Sequence, residues 1–375
     1  MATVTNPDRI VPEIDPATVE LGLDTFGDVT ESIGASPLAG TPLTHAQSIR
    51  NLLDQAVLAD EVGLDFIGVG EHHRVDFAVS APEVVLGAIA ARTSRIRMGS
   101  AVTVLSSDDP VRVFERFATV DALSNGRAEV ILGRGSFTES FPLFGLDLAD
   151  YEVLFEEKIE LFASLLRDEP VTWEGTKRGA LSDQWVYPRP ESGTLKTWVG
   201  VGGSPQSVIR AAHYGMPLFL AIIGGQPAQF APYADLYRRA LDQFGHAPQP
   251  IAMHSPGFIA ATDEEALEIL YPYQEAQTNQ LGRERGWGPY SREQYLATAA
   301  ADGALYVGSP ETVARKIARN LRILGATRFD LRYSMGLLPH EHLMSSIELY
   351  GREVAPRVRE LLAEAPAAEA LAARG

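Results

Sequence analysis

The stretch DFIGVGEHHRVDFAVSAPEVVLGAIAARTSRIRMGSAVTV, residues 65–104, decides the fold. It opens on a short apolar run, Asp65–Val69, and passes through Gly70-Glu71-His72-His73-Arg74. A helical pattern follows over Ala81–Thr93, and a second strand-like run closes it at Ile96–Val104. Strand, helix, strand in this order reads as a parallel βαβ unit. The alternation continues outward on both sides. Further strand-like runs lie at Val19–Thr25, Ala128–Leu132, Thr197–Val201, Pro217–Ala221, Ile251–Ala260 and Phe329–Tyr333, which makes eight in all. Helical patterns fall at Thr44–Val62, Pro110–Leu123, Tyr151–Arg167, Ser204–His213, Pro227–Phe244, Asp263–Leu281, Pro310–Leu324 and His340–Leu362. Thr44, Ser204 and Thr262 suit N-caps, and Pro110, Pro205 and Pro310 suit first turns. Gly63, Gly215, Gly245 and Gly325 stand where helices should stop. The expected architecture is α/β, a single (β/α)8 TIM barrel over residues 19–362. Residues 1–18 read as an N-terminal arm and 363–375 as an Ala-rich tail.

Two stretches exceed an idealised barrel. Thr172–Glu174 and Gln184–Tyr187 suggest a small hairpin. Tyr271–Gly308 is long, and glycines at 282, 286 and 288 break its helical period. A long insertion before the last barrel strand is an expected active-site lid.

Composition excludes several classes. The chain has 375 residues, no cysteine and a formal charge of −17. Zero cysteine removes disulfide scaffolds, thiol nucleophiles and iron–sulfur sites. The acidic balance argues against nucleic-acid and anionic-membrane surfaces, which need clustered Lys and Arg. The longest apolar runs, Val84–Ala91 and Met216–Ile223, fall well short of the ~20 residues of a membrane span. The N-terminal residues carry acidic groups and prolines but no apolar core of a targeting signal, so a cytoplasmic location is expected.

Barrel chemistry sits at the C-terminal ends of the strands. After the second strand come Glu71, His72 and His73, ionisable groups gathered at a strand end. Neighbours on an extended segment point to opposite sides, so the two histidines do not suit one metal. Arg134 lies between Gly133 and Gly135, free to reach an anion. Gly200-Val-Gly202-Gly203-Ser204-Pro205-Gln-Ser207 leads glycines into a capped helix start, the makings of a phosphate site. It matches neither the Rossmann nor the Walker A pattern. Small residues over Gly99–Ser106 leave room beside a flat ligand, and Phe26 is either core or a ring contact. Each feature also has a plain structural explanation: satisfied loop histidines, a surface arginine, a glycine turn, tight packing.

Taken together these motifs resemble the bacterial luciferase-like flavin-dependent monooxygenase family. The matching segments are Leu21-Gly-Leu-Asp-Thr-Phe26-Gly27, Gly70-Glu71-His72-His73, Gly99-Ser-Ala-Val-Thr-Val-Leu105 with Pro110-Val-Arg112, and Asp121-Ala-Leu-Ser-Asn-Gly-Arg127. Leu132-Gly-Arg134-Gly135, Gly202-Gly-Ser204-Pro-Gln-Ser207 and Tyr214-Gly-Met-Pro217 complete the series.

The resemblance implies reduced FMN at the strands' C-terminal ends. It puts the phosphate on Arg134, Ser136 and the Gly203–Ser204–Ser207 turn, and a non-prolyl cis peptide at Ala101–Val102 beneath the ring. His72 matches the family's acid/base histidine, with Glu71 and His73 as its neighbours. Gly133 stands where light-emitting members carry cysteine, and Ile222 where they carry a tryptophan beside the flavin; both argue against light emission. Gly203 replaces an acidic residue and removes a repulsive charge near the phosphate. The implied activity is a two-component monooxygenase using O2 and reduced FMN from a separate flavin reductase. Its substrate would be a small apolar aldehyde or ketone, and its assembly a homodimer. The alternatives are an F420-dependent oxidoreductase on the same barrel, a non-catalytic flavin-binding barrel, and a metal-dependent hydrolase using His72, His73, His213 or His254.

Overall fold

The computed structural model describes residues 12–29, 43–135, 137–334 and 338–364. Eight parallel strands close a barrel: β1 (Glu20–Thr25), β2 (Phe66–Val69), β3 (Arg97–Ser100), β4 (Ala128–Gly133), β5 (Lys196–Val201), β6 (Leu218–Ala221), β7 (Ile251–Ile259) and β8 (Arg328–Arg332). Each pairs with the next, and β8 returns to β1 through Glu20↔Arg328 to Asp24↔Arg332. The expected barrel is the observed one.

The helix edges follow local chemistry. The Thr44, Ser204 and Thr262 hydroxyls accept the backbone N–H groups of Gln47, Ser207 and Glu265, satisfying donors that a helix start leaves unpaired. Gly245 and Gly325 close their helices at φ 76° and 59°, a left-handed conformation that costs glycine little.

Three boundaries differ from expectation. The third strand is interrupted after Ser100 by the cis Ala101–Val102 peptide, and resumes at Thr103–Val104 against Leu132 and Gly133. The hairpin forms from Val171–Trp173 and Leu181–Gln184. The insertion before β8 is largely helical, over Asp263–Arg285 and Arg292–Ala299. Gly282 does not break the first of these helices, because one interior glycine costs only ~1 kcal/mol. The helix stops instead at Gly286, at φ 71°. The acidic first turn, Asp263–Glu265, and Arg283 and Arg285 in the last turn match the helix dipole.

Strand residues alternate between two cores. Leu21, Leu23, Ile67, Val69, Val130 and Leu132 face the surrounding helices. Phe66, Ala101, Ile131, Trp198, Phe219 and Ala252 fill the barrel interior. Below that interior layer lies an ionic network. Arg328 reaches Glu129 Oε2 at 2.7 Å and Asp330 Oδ2 at 2.8 Å, and Trp198 Nε1–H donates to Glu129 at 2.9 Å. Burial alone would push the Glu129 carboxyl up, but Arg328, Lys196 and Arg97 outweigh it and hold it down to about 2. A depressed carboxyl contributes stability that is complete above its unfolded value of 4.5 and is lost as pH falls toward 2. Wild type should therefore lose unfolding free energy between pH 4.5 and 2 more steeply than Glu129→Gln. Parallel curves would remove Glu129 from the acid response.

Candidate active site

The C-terminal mouth is built around the Ala101–Val102 step. Side chains are absent where the step comes close. A Cβ on Gly68 would lie 2.7 Å from the Ala101 Cβ, and one on Gly133 would lie 2.4 Å from a Val102 methyl. Gly70 is constrained twice, by Ala101 O and by the Phe26 ring. The glycines of β2 and β4 thus make space for the step and for Phe26, while Val102 occupies the place that a side chain at 133 would need.

On the β2 side, His72 and His73 diverge as extended neighbours should. The His72 ring packs against Phe26, Phe77 and Phe137, with centroids 4.8, 4.5 and 5.1 Å away. Its Nδ1 stands 3.7 Å from Glu139 Oε1. His73 Nε2 lies 2.9 Å from Glu71 Oε1, and Glu71 Oε2 accepts the Val104 N–H at 3.0 Å. The Glu71 hydrogen bond raises the His73 pKa above the ordinary imidazole value. Glu71 therefore joins the post-β2 loop to the strand that follows the cis step.

On the β4–β5 side, Arg134 Nη1 pairs with Glu152 Oε1 at 2.7 Å, and Glu152 is largely exposed. Glu156, one turn further along that helix, pairs with Arg210, whose Nη1 donates to Ser207 Oγ at 3.2 Å. One helix face thus links Arg134 to the glycine turn. Gly202 and Gly203 have open space where a Cβ would project, and Gly203 adopts φ 121°. This open turn, the Ser204 cap and an arginine whose carboxylate partner is largely exposed fit a phosphate. Ser136 lies outside the described residues. Ile222 is fully buried, its N–H on His254 O and its carbonyl accepting Ser255 Oγ, so its side chain stands behind the wall of the mouth.

The site also holds residues that the motifs did not mark. Asp28 accepts from Ser334 Oγ and from Gln277 Nε2 at 3.3 Å, and lies 3.6 Å from Arg332. Burial pushes its carboxyl above the ordinary value against the pull of Arg332 and Ser334. Its position after Asp24-Thr-Phe-Gly was the only signal. Gln277 belongs to the insertion helix, which is tied again by Glu284 to Arg74 at 2.8 and 3.0 Å. The insertion thus contacts the loops after both β1 and β2.

A cavity of about 30 Å3 lies behind Asp28, lined by Gln55, Ser334 and His340 among others. A larger one, about 540 Å3, opens at the opposite end between Arg95, Arg97, Arg359 and Asp65. Its arginines are engaged: Arg97 with Glu20 and Glu129, Arg359 with Asp65, and Arg95 with the Asp60 carbonyl. In this fold that end carries stability and the other carries chemistry. Among the described residues, no three His, Asp or Glu side chains converge as a metal site. His213 contacts Tyr214 and Phe244, while His254 pairs with Asp24 inside the barrel. No helix among the described residues is long and apolar enough to cross a membrane.

Comparison with known proteins agrees with this arrangement. The profile of the family described as luciferase-like monooxygenase matches residues 31–328. The chain is 29% identical to 4-hydroxyprotoasukamycin monooxygenase of Streptomyces nodosus subsp. asukaensis, over 87% of this chain and 92% of that protein. It is 31% identical to N-acetyl-S-alkylcysteine monooxygenase of Bacillus subtilis, over 60% of this chain and 68% of that one. The crystal structure of monooxygenase RslO1 from Streptomyces bottropensis superposes with TM-score 0.78 at 24% identity, covering 90% of this chain and 99% of that one. The chain belongs to the luciferase-like monooxygenase family.

Proposed function

We propose that this chain is the oxygenase component of a two-component monooxygenase. It would receive reduced FMN from a separate reductase and use O2 to oxidise a small organic substrate, of the aldehyde or ketone class, working as a homodimer. The observation that carries the reading is the division of the mouth. Anion-suited backbone and Arg134 lie after β4 and β5, and the enclosed His72 lies after β2, with the glycine-walled step between them.

On this reading Arg134, Ser204 and the open Gly203 turn hold the phosphate, with Ser136 and Ser207 completing the cradle. Arg134 leaves Glu152 for the phosphate at small cost, since exposed ion pairs are worth ~0–1 kcal/mol. When bound, FMN supplies the reduced ring that reacts with O2. Ala101 and Val102 support the ring, Phe26 borders it and Ile222 backs the wall. His72 exchanges a proton at an imidazole nitrogen, while Phe26, Phe77 and Phe137 keep water from it. Glu71 and His73 hold the loop that presents it. The insertion over 271–308 acts as the lid.

The test is FMN titration of the purified chain, beside oxygen uptake coupled to product formation with a reductase and a panel of aldehydes and ketones. Tighter binding of F420 than of FMN, or flavin binding without turnover on any substrate, would overturn the reading. Arg134→Ala is expected to weaken FMN binding about tenfold or more, the worth of a charge-assisted phosphate contact. An unchanged titration would remove Arg134 from the phosphate site.

A further inference from the structure

Strands β7, β8 and β1 form a side of the mouth that neither the phosphate groups nor His72 occupies. His254 follows the inward Ala252 by two residues, and Asp24 follows Gly22 by two. The Asp24 Cβ and the Ala101 Cβ both crowd the same face of Gly68, so Asp24 stands at the level of the Ala101–Val102 step. His254 Nδ1 lies 2.6 Å from Asp24 Oδ2; His254 is 6% exposed and Asp24 is 0% exposed. A carboxylate only accepts, so Nδ1 carries the proton; in the neutral imidazole Nε2 then presents a lone pair.

Among the described residues that Nε2 has no hydrogen-bond partner, and neither does Asp24 Oδ1 or the Nε of Arg332. Arg332 pairs in register with Asp24 on one side and Pro256 on the other. Its guanidinium covers Phe26 at 4.7 Å and its Nη2 reaches toward Asp28. Buried polar atoms are ordinarily paired. Orphan acceptors and an orphan donor on three adjacent strands, at the level of the step, call for a ligand that brings both kinds of group.

We propose that this side of the mouth is the subsite for a phenolic hydroxyl of the organic substrate. The O–H donates to His254 Nε2, and the same oxygen accepts from Arg332 Nε–H. Asp24 is a positioning residue that holds the imidazole tautomer. The assignment rests on the reading that the mouth binds the substrate, and it narrows the aldehydes and ketones of that reading to those that also carry a phenolic hydroxyl.

The test compares 4-nitrophenol with nitrobenzene, an isostere lacking the hydroxyl, on the FMN-loaded protein at a pH below the phenol's own pKa, so that its O–H is intact. Wild type should bind 4-nitrophenol about tenfold or more tighter than nitrobenzene. His254→Leu should erase that preference while leaving nitrobenzene and FMN affinities within a few-fold, and Asp24→Asn should reduce it. Nitrogen NMR of wild type gives a second readout independent of any variant's folding: the His254 Nε2 signal should move with 4-nitrophenol and not with nitrobenzene. Equal affinities in wild type, an unmoved Nε2 signal, or a preference that survives His254→Leu overturns the subsite. A chain that does not bind FMN overturns the proposed function instead, and the two failures are read from separate titrations.

Discussion

His72→Asn should lower productive turnover about 10²–10⁴-fold, the range for a lost general acid or base. FMN affinity should stay within a few-fold. Asparagine keeps a polar group of similar reach but has no proton to titrate near neutral pH. The two effects should separate because the groups lie on different parts of the rim. Arg134 and the Ser204 turn follow β4 and β5, whereas His72 follows β2 inside the Phe26, Phe77 and Phe137 enclosure. An effect confined to the chemical step lowers kcat without a matching change in cofactor binding. The measurement is FMN titration beside oxygen uptake coupled to product. Untouched turnover would make His72 a packing residue and move the acid/base role to His73. Collapse of FMN binding would show instead that the imidazole shapes the cofactor pocket.

Arg328→Ala should cost about 3–5 kcal/mol of stability, the effect of removing one partner from a buried charge network. The guanidinium is completely buried, donates to both Glu129 and Asp330, and lies 3.6 Å over the Phe66 ring. Its removal strands Asp330, leaves Glu129 with Lys196, Arg97 and Trp198 only, and opens space beneath Phe66 and Trp198. Removing the charges together, with Arg328→Met, Glu129→Gln and Asp330→Asn, should cost less than the single change, because no uncompensated ion remains. Urea unfolding monitored by tryptophan fluorescence measures both. A loss under ~1 kcal/mol for Arg328→Ala would mean that water replaces the guanidinium.

The sequence by itself determined the barrel, because each strand and helix carries a local signal. The alternation of periods over residues 65–104, the Thr44, Ser204 and Thr262 caps, and Gly245 and Gly325 at helix ends all act within a few residues of where they stand. The loop motifs marked the β2, β4 and β5 ends of the mouth for the same reason. Only the tertiary structure decided which distant residues share a level of the barrel. His254 and Asp24 are 230 positions apart, and Ser334 and Asp28 are 306 apart, yet each pair is in contact because closing the barrel sets β8 between β7 and β1. The Arg328–Glu129 pair likewise depends on two inward positions facing each other across the interior. Gly282 misled for the converse reason. A lone glycine weakens a helix locally, but the contacts of Gln277 with Asp28 and of Glu284 with Arg74 hold the insertion helix through it, and chain period carries no record of those long-range partners.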